Sequence, residues 1–262
     1  RKDGAVMPQA TLPRYDLGPV ERQEAGVYGC VITDARGTQV ASEPARLKVA
    51  TPLVVSGASG APLQRYVGQP LSLEAAAEGG FAPLAYQWRK DGQNLPGATA
   101  PVYTMVSITM EAAGEYTCRI TDAEGLVRVC DPTGLEVEDW PRITIQPQDT
   151  RRYVDESHLF AIAVDGGFAP LQYQWLLDNA PIAGATRSTY PAGPFEDTGL
   201  WRYSCAITDA HGTTRLSDEA RLWVKEQVTL LRHPEDAALH VGQTHTFSVA
   251  VDNTDGYPPI RY

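Results

Sequence analysis

The sequence lacks the features that mark a membrane segment, a nucleic-acid-binding protein or a disordered chain. No apolar run approaches the ~18 residues that a membrane helix requires, so we expect no membrane insertion within this segment. The formal net charge is −10, which argues against nucleic acid as a partner because phosphate backbones repel acidic surfaces. Charged residues make up 21% of the chain and hydrophobic residues 43%, a composition that predicts packed cores.

Residue patterns that carry chemistry are also missing. The chain contains no Gly-x-Ser-x-Gly, phosphate-binding loop, dinucleotide-binding fingerprint or His-Glu-x-x-His, so we predict no enzyme activity, no catalytic residues and no cofactor. The five histidines are predicted to be solvated. The sequence contains no Cys-x-x-Cys pair, so we predict no zinc site. The stretch Asp252–Gly256 is a weak match to a calcium loop and is interpreted as a solvated turn. Calcium near Glu138 and Asp139 is a weaker alternative.

What the chain does contain is an internal repeat. The block Gly79–Trp88 recurs as Gly166–Trp175 with nine of ten residues identical, and residues 255–262 form a degraded third copy. A second block occurs three times, at Tyr28–Gly37, Tyr116–Gly125 and Tyr203–Gly212. Because Trp88 and Trp175 lie 87 positions apart, the period is close to the length of one small domain.

The phase of the repeat predicts four segments. They are the C-terminal half of a domain at residues 1–50, complete domains at 51–138 and 139–225, and the N-terminal half of a domain at 226–262. Two explanations of the halves stay open. The sequence is a window on a longer repeat polypeptide, which we favour, or the halves complete each other between molecules and build an open filament.

Apolar residues recur at every second position, which is the pattern of half-buried β-strands. Three runs show it: Leu71, Leu73, Ala75 and Ala77; Phe160, Ile162 and Val164; Phe247, Val249 and Val251. Turn signals fall roughly every ten residues, and the three Asp-Ala-x-Gly stretches starting at Asp34, Asp122 and Asp209 have hairpin-loop chemistry. We therefore predict an all-β fold of tandem β-sandwiches.

These motifs resemble immunoglobulin-like domains of the intermediate type, as found in long extracellular repeat proteins of bacteria. The resemblance identifies Trp88 and Trp175 as the buried tryptophans of strand C. It identifies the Tyr-x-Cys motifs as strand F, and the predicted core then comprises Tyr28, Tyr116, Tyr203, Cys30 and Cys205. The positions of the family's other disulfide cysteine hold Ala75, Ile162 and Val249, so the usual disulfide between strands B and F is absent.

The fourth cysteine, Cys130, has serine counterparts at Ser42 and Ser217. A three-residue hairpin loop places Cys130 opposite Cys118, close enough for a disulfide. The alternative is that both are buried thiols acting as small hydrophobic residues. Cys30 has no partner in its own repeat and is interpreted as a core residue.

Two tryptophans are not explained by the strand-C core and are the candidate interface residues. Trp223 alternates with inward residues of the last strand and is predicted to point outward, where an aromatic marks an interface or a lone exposed ring. Trp140 precedes Pro141 in a linker and is predicted to pack where two domains meet. The linker after Val224 lacks proline, so that joint is predicted to bend more.

The functional expectation is a non-catalytic structural segment of a long extracellular or cell-surface protein, serving as a stalk, fibre or adhesin shaft. Its expected partners are other copies or adjoining repeats of the same chain, with a surface protein or glycan as a further candidate. Two alternatives stay open: a carbohydrate- or protein-binding module, and an accessory region of a large secreted enzyme. The sequence favours the first function because repetition gives length and acidity keeps a crowded surface soluble.

Overall fold

The computed structural model describes residues 1–57, 62–252 and 256–261. The chain divides into two compact units, Arg1–Val137 and Glu138–Tyr262. The described helical elements are two 3-10 turns, Arg22–Glu24 and Met110–Ala112, and the prediction of an all-β fold is confirmed. None of the described helices has the length and apolar character needed to cross a bilayer. The four predicted segment boundaries stay a prediction.

Residues 1–50 form two small antiparallel pairs. The strands are β1 Gly26–Tyr28, β2 Val31–Thr33, β3 Gln39–Ala41 and β4 Ala45–Leu47. Strand β1 pairs with β4, and β2 pairs with β3. The hairpin between β2 and β3 closes through a backbone hydrogen bond of 3.0 Å from the Gly37 amide to the Asp34 carbonyl.

Residues 51–138 form a two-layer β-sandwich. Its strands are β5 Val54–Gly57, β6 Leu63–Tyr66, β7 Leu71–Glu78, β8 Ala85–Lys90, β9 Gln93–Asn94, β10 Val102–Met105, β11 Gly114–Thr121, β12 Val127–Val129 and β13 Thr133–Glu138. One sheet has the order β10-β7-β5. The other has the order β6-β13-β11-β8-β9, with β12 paired to β11.

Strand β7 shows why this sequence forms a sandwich. Leu71, Leu73 and Ala75 are 7%, 1% and 2% exposed, while the residues between them face solvent. A period of two places one face of the strand in the core and the other in water. The inward face joins a single apolar cluster that also contains residues of β8, β11 and β13.

The second unit contains another complete sandwich. Its strands are β14 Arg142–Ile145, β15 Thr150–Tyr153, β16 His158–Ala161, β17 Ala163–Asp165, β18 Gln172–Leu177, β19 Ala180–Pro181, β20 Thr189–Ala192, β21 Gly199–Thr208, β22 Thr214–Leu216 and β23 Ala220–Lys225. The larger sheet has the order β15-β23-β21-β18-β19, with β22 paired to β21. Strand β15 runs parallel to β23, and the opposite layer consists of the pairs β14-β17 and β16-β20.

The end of the second unit forms one small strand pair, β24 Leu230–Arg232 with β25 Ala250–Val251. The prediction of a half-buried strand through Phe247 and Val249 is wrong, because these side chains are 67% and 42% exposed and precede β25. No opposing sheet packs on them within the described residues of this unit, so their alternating pattern has no core to face.

Glycine pairs let one loop of each sandwich approach the linker that precedes that sandwich. Gly79 has a φ of +75°, and a Cβ there would lie 2.2 Å from the Pro52 carbonyl oxygen. The neighbouring Gly80 donates its amide to the Thr51 carbonyl at 2.9 Å. The second unit repeats this bond between Gly167 and Asp139 at 2.8 Å. Glycine is therefore required at this pair for two reasons, because the backbone is left-handed there and because another backbone lies too close for a Cβ.

We predict that Gly79→Ala destabilises the first sandwich by about 3 kcal/mol, because it adds a backbone clash to left-handed strain. Gly92→Ala is the matched control, since Gly92 has a φ of +76° but no atom within 4 Å of an added Cβ. The control should cost only about 1 kcal/mol. Urea unfolding of both variants measures the difference, and equal losses would contradict the contact.

Candidate functional site

The strand tryptophan and the Tyr-x-Cys motif meet at the centre of each complete sandwich. Trp88 is paired with Cys118, and Trp175 with Cys205, across adjacent strands. All four residues are at most 2% exposed. The Trp88 indole nitrogen donates to the Ala100 carbonyl at 3.0 Å, and the equivalent bond in the second sandwich is 2.9 Å. Each buried indole thus has the partner that burial of an N–H requires.

The motif tyrosines hold the corner before strand F. Tyr116 and Tyr203 are 2% and 5% exposed. The Tyr116 hydroxyl donates to the Ala112 carbonyl, four residues earlier, at 2.8 Å. Tyr28 makes the same type of bond to the Glu24 carbonyl at 2.7 Å but is only partly buried.

The prediction that Cys30 is a core residue is wrong, because this thiol is exposed. Residues 1–50 supply β1 to β4 but no second layer over this face among the described residues of the unit. The same face carries Val6, Leu12 and Tyr15, which are 69%, 75% and 48% exposed. Together with Tyr28 and Cys30 they line an open concavity of about 560 Å³.

Of the two alternatives for Cys118 and Cys130, the structure has two buried thiols and no disulfide. The two residues do face each other, since the Cys130 amide donates to the Cys118 carbonyl at 3.0 Å, but both are free cysteines. The Cys130 sulfur instead accepts the Cys118 amide at 2.9 Å. In the other repeats Ser42 and Ser217 accept the equivalent cysteine amides at 3.0 and 2.9 Å. Cys130 therefore takes the place of a serine acceptor.

Sequence reasoning identified the hairpin aspartates as turn residues but missed their second role. Asp122 is 6% exposed, and its Oδ1 accepts the amides of Glu124 and Leu126 at 3.0 and 2.9 Å. Its Oδ2 accepts the Phe81 amide at 3.1 Å, from the loop that carries Gly79 and Gly80. Burial alone would raise the pKa of Asp122, but these backbone donors outweigh it and lower the pKa.

The same device recurs in the second sandwich, where Asp209 Oδ2 accepts the Phe168 amide at 3.3 Å. In residues 1–50, Asp34 makes only the hairpin bonds, to the amides of Arg36 and Thr38 at 2.9 and 2.8 Å. The signal for this role was present in the sequence, since the aspartate is kept in all three repeats while the x of Asp-Ala-x-Gly varies.

The two candidate interface tryptophans lie in different settings. Trp140 is 41% exposed, and the adjoining Pro141 is buried. Trp223 is partly buried on the outward face of β23, between the inward Leu222 and Val224. The guanidinium carbon of Arg151 lies 5.8 Å from the centre of the Trp223 ring, which is within the range of a cation–π contact. An interface role for both tryptophans stays a prediction.

The described residues contain no group of three or more side chains suited to a metal ion. Residues Asn253, Thr254 and Asp255 of the calcium-like turn lie outside them. The expectation that every histidine is solvated is wrong for His158, which is partly buried with Nδ1 at 2.6 Å from Arg152 Nη2. Burial, followed by the Arg152 charge, lowers the pKa of His158.

Known proteins resemble parts of this chain in sequence. No family model matches the chain. Protein sax-3 of Caenorhabditis elegans is 28% identical over 240 residues, covering 86% of this chain and 18% of that protein. The decoration protein of Escherichia phage T5 is 36% identical over 75 residues, covering 29% of this chain and 46% of that protein. The chain thus spans less than half the length of either relative.

Solved structures of titin domains I67–I69 establish the fold class. Two of them match with TM-scores of 0.53 and 0.51 at 21% and 19% identity, covering 70% and 77% of this chain and 69% and 80% of the titin chains. The chain is therefore built of tandem immunoglobulin-like β-sandwiches, as the Trp and Tyr-x-Cys motifs predicted. A bacterial origin gains no support from the two relatives, which come from a nematode and a phage.

We predict that Cys130→Ser changes the free energy of unfolding by less than about 1 kcal/mol, because serine is the acceptor used in the other repeats. Cys130→Ala should cost about 1–2 kcal/mol, since the buried Cys118 amide loses its acceptor. Urea unfolding under reducing conditions compares the two variants. A serine variant as weak as the alanine variant would contradict the acceptor role.

We predict that Asp122→Ala lowers the midpoint of thermal unfolding of the first sandwich by about 5 °C or more. Asp34→Ala is the matched control, because it removes equivalent hairpin bonds but no bond to a second loop. Asp122 also contributes stability above the ordinary aspartate pKa of about 4 that is lost as the pH falls through its lowered pKa. Equal effects of the two variants would exclude the loop-tying role.

We predict that both sandwiches lose stability as the pH rises from about 9 to about 12. Burial raises the pKa of Cys118 and Cys205 to about 11 and of Tyr116 and Tyr203 to about 12. The unfolded chain releases these protons first, near pH 8.5 and 10, so rising pH favours unfolding. Urea midpoints across this range measure the effect, and a flat profile would argue against buried thiols and phenols.

Proposed function

We propose that this chain is a non-catalytic structural segment of a long extracellular or cell-surface protein, acting as a stalk, fibre or adhesin shaft. The observation that carries the proposal is the repeated fastening of a loop to the preceding linker. Gly80, Gly167 and Gly256 donate their amides to Thr51, Asp139 and Glu226 at 2.9, 2.8 and 2.9 Å. A linker held in this way fixes how the chain enters the domain that follows, and a repeated device of this kind suits a spacer built of similar domains.

The chemistry of the cores and the net charge of the chain support the same proposal. The sandwich centres are filled by apolar side chains, and burial there raises the pKa of two thiols and two phenols, those of Cys118, Cys205, Tyr116 and Tyr203. Such groups are poor nucleophiles or bases near neutral pH. The net charge of −10 favours solubility in a crowded surface layer.

A protein-binding role is the second candidate, and the concavity of residues 1–50 favours it. Its lining includes Val6, Leu12 and Cys30, which in a complete sandwich would face a second layer. We propose that the occupant is an adjoining repeat of this kind, because residues 226–261 carry the counterparts of the strands that cover this face at 51–138. In the filament form of the proposal, that segment belongs to a second copy.

Two measurements on the native source test the proposed function. Intact cells are treated with a membrane-impermeant biotin reagent, and the labelled polypeptide is then sized under reducing, denaturing conditions. We expect labelling and a polypeptide much longer than 262 residues. An unlabelled protein would contradict a surface location. For the purified chain, the reaction of Cys30 with a thiol reagent is measured at increasing protein concentration. Slower reaction at higher concentration would support the filament form, and a constant rate would exclude it.

A further inference from the structure

One tyrosine of the last segment docks on the sandwich that precedes it. The Tyr257 hydroxyl lies 2.5 Å from the Trp223 carbonyl oxygen and 3.0 Å from the Arg152 carbonyl oxygen. These carbonyls belong to the adjacent strands β23 and β15, at the neighbouring pairs Arg151–Trp223 and Arg152–Val224. A hydroxyl carries one proton, so it donates to one of the two carbonyls at a time.

Three side chains surround the tyrosine ring, Arg151, Tyr153 and Lys225, and Arg151 also contacts the Trp223 ring; we call these four side chains the socket. The Arg151 guanidinium carbon and the Lys225 nitrogen each lie 5.6 Å from the centre of the Tyr257 ring. The Tyr153 ring centre lies 5.5 Å away. Arg151 also lies over Trp223 at 5.8 Å. Two cations and an aromatic ring around one phenol form a site that favours an aromatic occupant.

The other repeats fill the equivalent positions differently. Tyr257 corresponds to Phe168 of the repeated Gly-Phe block. The Phe168 ring stacks on His211 of its own repeat, with ring centres 4.3 Å apart. In the first sandwich the counterparts of Arg151 and Trp223 are Gln64 and Glu136, which hydrogen-bond to each other at 2.6 Å.

In residues 1–50 the counterpart of Trp223 is Lys48. Its nitrogen contacts a carboxylate oxygen of Glu124, in the hairpin loop of the following repeat, at 2.6 Å. Both side chains are about half exposed, and exposed ion pairs of this kind are weak. The same last-strand position therefore contacts the next repeat in both cases, through a weak ion pair at Lys48 and through the socket at Trp223.

We infer that the last-strand position occupied by Lys48 and Trp223 sets how firmly a repeat holds the one that follows it within the same unit, and that Trp223 with Arg151 makes a docking socket for the loop tyrosine of the following repeat. The joint after Val224 is then held by side chains, whereas the missing proline predicted a joint that bends more. This inference rests on the proposed spacer function, because it specifies which joints of the spacer are stiff.

Hydrogen–deuterium exchange of the whole 262-residue chain tests the inference. Tyr257→Phe keeps the ring and removes the hydroxyl, so amides of residues 226–232 should exchange about three- to tenfold faster. The double variant Arg151→Gln with Trp223→Glu installs the Gln64–Glu136 pair, which the chain already accommodates at this register, and should accelerate exchange by tenfold or more. Peptides from β21 should be unchanged in both variants, which shows that the sandwich stays folded.

Lys48→Gln is the matched control, because it alters the corresponding position of another repeat and should leave residues 226–232 unaffected. The inference would be overturned if residues 226–232 of both socket variants exchanged within twofold of the parent chain. It would also be overturned if Lys48→Gln accelerated exchange of these residues as much as the socket variants do. The result is independent of where the native protein resides. A failed surface-labelling experiment would therefore contradict the proposed function without changing the exchange result.

Discussion

The packing of a strand tryptophan against the cysteine paired with it is the interaction on which each sandwich depends. Trp88 meets Cys118 and Trp175 meets Cys205, one pair at the centre of each core. In antibody domains a disulfide lies against the equivalent tryptophan, and a disulfide restricts the unfolded chain. Here all four cysteines are free, so burial of apolar surface must supply the stability. The cores are accordingly filled by aromatic and branched side chains.

Hydrogen bonds outside the core stabilise the loops at one end of each sandwich. The glycine pair brings a loop against the incoming linker, and the hairpin aspartate ties that loop to the last hairpin. Asp122 therefore connects two loops that are far apart in sequence. Because the tie uses backbone amides, the variable position between Ala123 and Gly125 is free to change. Glu124, which occupies that position, is the residue that contacts Lys48.

The sequence predicted the fold because its signals are local or periodic. Alternation at Leu71, Leu73 and Ala75 placed one strand face in the core, and the repeated Asp-Ala-x-Gly placed the hairpins.

Predictions that depended on contacts between distant parts of the chain were less accurate. Cys30 occupies a core position of the motif, yet burial also requires an opposing sheet, which residues 1–50 do not supply. Cys130 was correctly placed opposite Cys118, but spacing alone does not show whether a sulfur faces a thiol or an amide. Tyr257 was missed because its contacts come from strands over 30 positions away.

Single-molecule extension of the chain in reducing and non-reducing buffers tests the central claim most directly. The account predicts two cooperative unfolding events, one for each complete sandwich, each releasing about 300 Å of chain for a repeat of roughly 87 residues. The increments should be the same in both buffers, because no disulfide shortens the released chain. A single event, or an increment that lengthens when reductant is added, would contradict independent sandwiches held by apolar packing.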